Sequence, residues 1–136
     1  MARTMIHQPN TYKVYPVQGG WTILFMEGDG TLRTVDGPKK VYPHYQNAAA
    51  RCKRLNHPIE HALRHAECVE AWHDGYTLSV RSDESEDEPS FVLSIGKEAM
   101  PPFLQREFKS VREVEEFLRE KWVRFLYLDW QKVEFV

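Results

Sequence analysis

The fold is decided by a stretch in the middle of the chain, Val69-Glu70-Ala71-Trp72-His73-Asp74-Gly75-Tyr76-Thr77-Leu78-Ser79-Val80. Asp74-Gly75 is a strong signal for a two-residue hairpin turn, because that turn needs positive φ values at both positions. A turn there sets three pairs opposite each other: His73 with Tyr76, Ala71 with Leu78, and Val69 with Val80. All of these residues lie on one face, and most are aliphatic. The pattern therefore predicts two antiparallel strands with one face buried in a core.

A second glycine turn lies upstream in a similar setting. Gln18-Gly19-Gly20-Trp21-Thr22-Ile23 repeats the pattern of His73-Asp74-Gly75-Tyr76-Thr77-Leu78. Each stretch is followed by further strand-like sequence and then by a short amphipathic helix. The repeated order strand, strand, strand, helix indicates a duplication. The sequence therefore predicts an α+β protein of two βββα units, each an antiparallel meander with one helix, packed into one compact protein.

The predicted first unit spans residues 11–56. Its elements are three strands and a helix, at residues 11–17, 21–27, 31–35 and 46–55. The helix is indicated by apolar residues at positions i, i+4 and i+7, which are Ala48, Cys52 and Leu55. Asn56 and Pro58 mark its end.

A connector at residues 57–66 leads to the predicted second unit, residues 67–136. Beyond the central hairpin we expect an acidic loop and three further strands, at residues 83–88, 91–95, 104–108 and 132–136. Ser110, with Glu113 three residues later, has the capping-box arrangement that begins a helix. Apolar residues at helical spacing extend that helix: Val111, Val114, Leu118, Trp122 and Phe125.

The composition is that of an ordinary folded protein. Of 136 residues, 42% are hydrophobic and 28% are charged, which suits one soluble domain or two very small ones. No apolar run approaches the roughly 20 residues of a membrane helix, and the first residues lack the apolar centre of a secretory signal. Cys52 and Cys68 form no CxxC motif and indicate no disulfide framework. These features predict a cytoplasmic protein.

The net charge of −2 hides an uneven distribution. Residues 1–56 hold eight Lys and Arg against three Asp and Glu, a net charge of +5. Residues 57–136 hold ten against seventeen, a net charge of −7. We expect a basic half and an acidic half with different roles. The alternative is that residues 83–88 form a solvated acidic loop that accounts for much of the asymmetry.

Both faces of the first predicted sheet are apolar. A turn at Gly19-Gly20 gives one face three cross-strand pairs: Gln18 with Trp21, Pro16 with Ile23, and Val14 with Phe25. The opposite face carries four candidate partner-binding residues: Tyr15, Val17, Leu24 and Met26. A sheet that is apolar on both sides must be covered on both sides or expose a binding patch. The cover is either the rest of this chain or a partner, including a second copy.

Trp72 is the fifth partner-binding candidate. The hairpin register places it with Glu70, Thr77 and Ser79 on the polar face of the second sheet. An aromatic side chain on a polar face suits an interface anchor, because Trp, Tyr and Arg dominate binding hot spots. The alternative is that the connector or the C-terminal strand covers it.

The connector from His57 to Cys68 carries the only metal-like pattern, with His57, His61 and His65 spaced by four residues. Two histidines four apart on a helix can bind zinc. Pro58 follows His57 directly, the hairpin register assigns Cys68 to a strand, and no His-Glu-x-x-His order is present. We therefore predict no metal site and no cofactor. A metal-binding or enzymatic connector is the third functional hypothesis.

Several segments resemble a family of DNA-binding domains. They are Gly20-Trp21-Thr22-Ile23, Tyr42-Pro43-His44-Tyr45-Gln46-Asn47, Ala48-Ala49-Ala50-Arg51 and, in the second unit, Phe108-Lys109-Ser110-Val111-Arg112-Glu113. Their order of three strands, an aromatic spacer and a helix resembles AP2-type domains and the N-terminal domains of some phage integrases. The resemblance implies that the exposed face of the sheet enters the DNA major groove. Here that face offers Lys13, Thr22 and Arg33, where the family is rich in Arg and Trp.

The basic residues of the first unit are the candidates for nucleic-acid contacts. They are Lys13, Arg33, Lys39, Lys40, Arg51, Lys53 and Arg54. One arginine on each sheet would supply few of the phosphate contacts on which nucleic-acid affinity depends. The alternative is that these residues form a solvated helix face and loop.

We expect a small non-catalytic protein that binds another macromolecule, most of all another protein, as an interaction module or as an inhibitor or regulator. Small proteins of phages and mobile elements have a similar composition. Nucleic-acid binding by the basic first unit is the alternative, and a homodimer is a further option for the apolar face. No catalytic motif is present: Cys52 falls on an apolar helix stripe, and no serine has a glycine elbow.

Overall fold

The described part of the chain is an α+β structure with two antiparallel sheets and four helices. It is a computed structural model that describes residues 7–37, 40–83, 89–97 and 99–133. Their contacts divide them into two units, one ending at Asn56 and the other beginning at His57. Within these ranges, no helix has both the length and the apolar character that a membrane span requires.

The first unit is a three-stranded sheet followed by a helix. Its strands are β1 (Thr11–Val17), β2 (Gly20–Met26) and β3 (Leu32–Thr34), and they pair in that order. Helix α1 (Tyr45–Asn56) packs against β1 and β2. Ala48 and Cys52 on α1 are buried, as are Ile23 and Phe25 on β2. The apolar stripe of the helix therefore faces the sheet, as its spacing predicts.

The outer edge of β1 is closed at one point by a side chain of α1. The Asn56 Oδ1 accepts a hydrogen bond from the Tyr12 backbone N–H at 2.7 Å, and its Nδ2 donates to the Tyr12 carbonyl oxygen at 2.9 Å. The amide thus forms the two bonds that a neighbouring strand would form. Pro16, further along the strand, has no N–H to offer. These features protect an edge that could otherwise pair with another chain.

The register of the first hairpin differs from the prediction by two residues. The turn lies at Gln18-Gly19 instead of Gly19-Gly20. The observed pairs are Val17 with Gly20, Pro16 with Trp21, and Val14 with Ile23. Gly20 serves a different purpose, because a Cβ there would lie 2.3 Å from the carbonyl oxygen of Tyr42. Since side chains alternate with a period of two, the shift leaves every residue on its predicted face.

The second unit contains a five-stranded sheet in the order β7-β6-β5-β4-β8. Its elements are α2 (Pro58–Leu63), β4 (Cys68–His73), β5 (Tyr76–Asp83), β6 (Ser90–Lys97), β7 (Leu104–Phe108), α3 (Val111–Lys121), α4 (Val123–Leu126) and β8 (Gln131–Lys132). In this unit four strands, β4 to β7, come before helix α3. In the first unit three strands, β1 to β3, come before helix α1. Most of the predicted acidic loop, residues 84–88, and the end of the last predicted strand, residues 134–136, lie outside the described residues.

The central hairpin has the predicted register. His73 pairs with Tyr76, Ala71 with Leu78, and Val69 with Val80. Asp74 and Gly75 have φ values of 48° and 83°, as a two-residue turn with positive φ at both positions requires. Leu78 and Val80 are fully buried in a core that also contains Ile59, Val114 and Leu118 from the helices.

Helix α3 begins as predicted and ends earlier. The Ser110 hydroxyl accepts a hydrogen bond from the Glu113 N–H at 3.2 Å, and the Glu113 carboxylate accepts one from the Lys109 N–H at 2.9 Å. Trp122, at φ −145° and ψ 74°, leaves helical geometry and separates α3 from α4. The prediction of one helix as far as Phe125 was therefore wrong, and Trp122 is 38% exposed.

Candidate interaction surfaces

The second sheet has one face under helices and one polar face. The helix side is formed by the alternate residues Val69, Ala71, Leu78, Val80, Leu93 and Ile95, which belong to the core. The intervening residues point to the other face and include Glu70, Thr77, Ser79, Arg81, Ser94, Gln105 and Glu107. This alternation is the pattern of an antiparallel sheet with one buried face.

Trp72 lies on that polar face. It stands on β4 between Ala71, which is buried, and His73, and its cross-strand partner is Thr77. Trp72 is 57% exposed, although it is among the largest apolar side chains of the unit. Its position is the one that the hairpin register predicts, and it leaves the indole ring available for contact.

The outer face of the first sheet carries the other four partner-binding candidates. Tyr15, Val17, Leu24 and Met26 share this face, opposite the side covered by α1. Val17 is exposed and the other three are partly buried. His7 covers part of the face, because its Nδ1 lies 2.9 Å from the Tyr15 hydroxyl and the residue itself is buried.

The basic candidates of the first unit are dispersed. Lys13 lies on the outer face of the sheet, with its Nζ 5.9 Å from the Tyr15 ring centroid. Lys40 lies over the Tyr42 ring at 5.2 Å, and Lys53 and Arg54 are exposed in the last turn of α1. Lys39 lies outside the described residues.

Arg33 occupies the face opposite the one expected. The connection between β2 and β3 sets Phe25 opposite Arg33, so Arg33 points to the side of α1 and not to the side of Lys13. Its guanidinium lies 5.1 Å from the Phe25 ring centroid and 3.2 Å from the Glu27 carboxylate. The expectation that Lys13 and Arg33 share one exposed face was therefore wrong.

The structure does not gather the histidines of the connector. His57 precedes α2, whereas His61 and His65 are exposed, and His65 has a φ of 116° that breaks the helical spacing. Cys68 is buried at the start of β4. Spacing by four residues requires a continuous helix, and α2 ends at Leu63.

His57 instead joins Glu115, a buried carboxylate that sequence reasoning missed. His57 Nδ1 lies 3.0 Å from Glu115 Oε1, and the other oxygen accepts the N–H groups of Ile59 and Glu60 at 3.1 and 3.2 Å. Burial raises the pKa of Glu115, and these hydrogen bonds oppose the shift. The carboxylate therefore satisfies the first N–H groups of α2 and ties that helix to α3.

The same cluster includes three groups of the kind that bind metals. His57 Nδ1 and one oxygen each of Glu60 and Glu115 lie within 4.8 Å of one another. Glu60 is also held by Arg112, whose Nε lies 3.1 Å from Glu60 Oε2. A cation there would compete with the Arg112 guanidinium and with two backbone N–H groups. The arrangement is satisfied as a hydrogen-bonded helix cap.

Neither cysteine is placed as a nucleophile. Both thiols are free and buried. Burial raises the pKa of Cys52 and the pKa of Cys68. The thiolate is the reactive form, so these residues behave as small apolar core residues.

Three exposed apolar side chains of the second unit were not among the sequence candidates. Met100, Phe103 and Trp122 are 65%, 58% and 38% exposed. Phe103 lies 6.1 Å from Tyr76, measured between ring centroids. Large apolar residues on both sides of Pro101-Pro102 were the available signal, because a loop rarely needs them.

Comparison of the chain with protein-family models, with curated proteins and with solved structures finds no match. The surfaces of the chain itself are therefore the basis for a functional proposal.

Proposed function

We propose that this protein is a small non-catalytic module that binds another protein, with Trp72 as the anchor of the contact. The observation that carries the proposal is the 57% exposure of Trp72 on a polar sheet face. On the neighbouring strand Leu78 and Val80 are completely buried. An inhibitor or regulator of the kind found in phages and mobile elements would need no more than such a surface.

The energetics of one indole ring support an anchoring role. An aromatic side chain buries roughly 150–250 Å² when it is fully covered. At about 25 cal/mol per Å², covering the exposed part of Trp72 would contribute on the order of 2 kcal/mol. Binding hot spots have this magnitude and are enriched in tryptophan.

The surroundings of Trp72 match the anatomy of an interface. Thr77 and Ser79 on β5 and Ser94 on β6 are small and polar, so a partner can approach the sheet closely. Interfaces commonly place an apolar centre within a polar rim. The partner is expected to offer a concave apolar pocket for the indole ring.

The charge of the second unit indicates the electrostatics of the partner. Residues 57–136 carry a net charge of −7, and on the polar face Glu70 and Glu107 outnumber Arg81. A positively charged partner surface would be attracted over a distance of about one Debye length, about 8 Å at physiological ionic strength. We therefore propose a basic protein as the partner.

The outer face of the first sheet is the second proposed contact. The apolar surface of this face is formed by Tyr15, Val17, Leu24 and Met26. The Tyr15 hydroxyl is already hydrogen-bonded to His7. The remaining exposed area centres on Val17 and, from β3, Leu32. This patch suits a supporting contact with the same partner or a weak homodimer.

Nucleic-acid binding remains the alternative proposal. Lys53 and Arg54 are adjacent and exposed at the end of α1, and such a pair suits phosphate contacts. Arg33 and Arg51 each have a carboxylate partner in their own unit. Binding that falls steeply with salt and weakens in a Lys53→Glu/Arg54→Glu variant would favour this alternative.

We also propose that the two units descend from one βββα ancestor. Both contain an antiparallel meander that leads into an amphipathic helix, α1 in the first unit and α3 in the second. The second unit adds β7 before its helix, and α4 and β8 after it. On this proposal the copies have diverged in charge and in the faces that they expose.

Site-specific photo-crosslinking in the native host tests the proposed function. A photoreactive phenylalanine at position 72 should capture one defined protein, and the same group at position 124, an exposed helix position, should not. The captured protein is then purified and its binding to the full chain is measured. A crosslink that disappears after nuclease treatment, or no crosslink specific to position 72, would overturn the proposal.

A further inference from the structure

We propose that an extended peptide of alternating apolar and basic residues binds along β7, in the groove between this strand and α3. The inference extends the proposed protein-binding function to a further surface, on the edge of the second sheet. Strand β7 lies at the edge of the sheet three places from β4, so the site uses no residue near Trp72. The two proposals can therefore fail separately.

The first support is the open edge of β7. In the described part of this unit, β6 is the only strand that pairs with β7. His73 and Tyr76 close the two-residue turn of the central hairpin and form a hydrogen-bonded pair. From this pair, hydrogen-bonded and non-hydrogen-bonded pairs alternate along each strand and across the sheet to β7. This alternation directs the N–H and C=O groups of Arg106 toward β6. The same groups of Gln105 and Glu107 point to the open edge, where a peptide strand can bond to them.

The second support is a groove beside that edge. A cavity of about 590 Å³ lies between β7 and α3. Its floor contains Phe108 and Phe117, whose ring centroids are 5.4 Å apart. The Arg106 guanidinium lies 5.1 Å from both centroids. A strand added to β7 would direct alternate side chains onto these two rings.

The surrounding charges define the peptide. Side chains of an added strand alternate between the groove and the polar face of the sheet. Groove-facing positions meet Phe108, Phe117 and the Arg106 guanidinium that lies over both rings. They should be apolar, because that cation repels a basic side chain. Positions on the polar face lie beside Glu107, so lysine or arginine is favoured by a cross-strand ion pair. The groove lining itself is nearly balanced in charge, with four glutamates against Arg106, Lys109 and Arg112. The preference for a basic residue therefore rests on Glu107, at the positions of the added strand that face the polar side of the sheet.

A second copy of the chain suits this edge less well. Pairing β7 with itself about Arg106 would place two arginines opposite each other, and pairing about Glu107 would do the same for two glutamates. Like charges directly opposite across strands are destabilising. Pairing about Gln105 brings no like charges together, but it sets Glu107 opposite Phe103 without a basic partner. A separate peptide with lysine at the outer positions avoids both outcomes, and we commit to that occupant.

The test is an NMR titration of the full chain with a synthetic peptide of alternating lysine and leucine. We expect shifts of the Gln105 and Glu107 backbone amides and of the Phe117 ring signals. Two control peptides should bind at least about tenfold more weakly: one with glutamate in place of lysine, and one N-methylated on the amides that would face β7. Equal binding of the N-methylated peptide would overturn strand addition.

Variants of β7 sharpen the test. Gln105→Pro removes an N–H that no strand of the sheet uses, and proline is tolerated on sheet edges. We expect it to abolish the peptide shifts, while Gln105→Ala, which keeps that N–H, retains them. Trp72→Ala should bind the peptide normally, which separates this site from the proposed anchor.

Two results would contradict the inference. One is a folded Gln105→Pro protein that binds the peptide as tightly as the wild type. The other is a wild-type dimer, measured by sedimentation without peptide, that Gln105→Pro converts to a monomer. If Gln105→Pro does not fold, the N-methylated peptide on the wild-type chain decides the question.

Discussion

Arg51 and Asp36 form a two-point ion pair within the first unit. Arg51 Nε lies 2.6 Å from Asp36 Oδ2, and Nη2 lies 2.5 Å from Oδ1. The Tyr42 hydroxyl donates to the same Oδ2 at 2.7 Å. The pair joins α1 to the turn after β3 and commits the Arg51 guanidinium to its own chain. A phosphate would have to compete with this carboxylate for Arg51.

The first prediction concerns the titration of Asp36. The Arg51 hydrogen bonds, followed by that of Tyr42, lower the pKa of Asp36 to about 2. Because the folded pKa lies below the ordinary value of 3.8, the stabilisation is present above that value and is lost as the pH falls through about 2. Carbon-detected NMR of the carboxyl group should show this low midpoint.

Arg51→Lys should move the Asp36 midpoint upward, because lysine cannot form the two-point geometry. Arg54→Lys is the matched control on the same helix and should leave the midpoint unchanged. An Asp36 midpoint near 3.8 in the wild-type protein would show that the pair does not persist in solution.

The second prediction concerns Glu115. Burial raises its pKa above the ordinary value of 4.5, so the folded state holds this proton more tightly than the unfolded chain does. The contribution to stability is then full below pH 4.5 and is lost as the pH rises through the raised pKa. The Glu115→Gln variant carries a neutral amide that cannot titrate. The difference in unfolding free energy between the two proteins should therefore change with pH.

Urea unfolding of both proteins across this pH range measures that difference. Glu120→Gln, on the exposed side of the same helix, is the control and should track the wild type. A difference between wild type and Glu115→Gln that stays constant with pH would contradict the raised pKa.

The third prediction concerns Gly20. A Cβ at this position would lie 2.3 Å from the Tyr42 carbonyl oxygen, whereas one at Gly19 would meet no atom within 4 Å. Both glycines have positive φ values, so alanine is strained at each. The steric conflict is specific to Gly20→Ala, and it should cost about 1–3 kcal/mol more than Gly19→Ala. Equal unfolding free energies of the two variants would show that the contact with Tyr42 is not formed.

The fourth prediction separates the anchor from the core. Trp72→Ala should change the free energy of unfolding by no more than about 0.5 kcal/mol, as expected for an exposed side chain. Leu78→Ala, on the buried face of the same hairpin, should cost about 2–5 kcal/mol. Chemical denaturation monitored by circular dichroism distinguishes the two. A large loss of stability in Trp72→Ala would indicate that Trp72 packs within the fold.

Local signals were enough to predict the central hairpin. Asp74-Gly75 specifies its own turn type, and the aliphatic pattern on either side agrees with that turn, so the register follows directly. The same reasoning placed Trp72 on the polar face. Ser110 likewise identified the start of α3, because a capping box is formed by neighbouring residues.

The features that sequence reasoning missed depend on distant parts of the chain. A glycine is needed at position 20 because the carbonyl group of Tyr42, which follows β3 in the chain, lies against it. Gly20 is therefore a strand residue, and the turn lies at Gln18-Gly19. Glu115 can be buried because its carboxylate accepts hydrogen bonds from the N–H groups at the start of α2. No pattern within the sequence of α3 indicates this. The face of Arg33 was set by the length of the loop before it.

The most direct test of the proposed function is an affinity measurement with the partner that crosslinking identifies, purified separately. Its affinity is measured for the wild-type chain, Trp72→Ala and Trp122→Ala. By isothermal titration calorimetry we predict that Trp72→Ala weakens binding at least about 30-fold, equivalent to about 2 kcal/mol. Trp122→Ala, another exposed tryptophan of the same unit, should bind within about threefold of the wild type. A folded Trp72→Ala protein that binds as tightly as the wild type would contradict the role of Trp72 as the anchor.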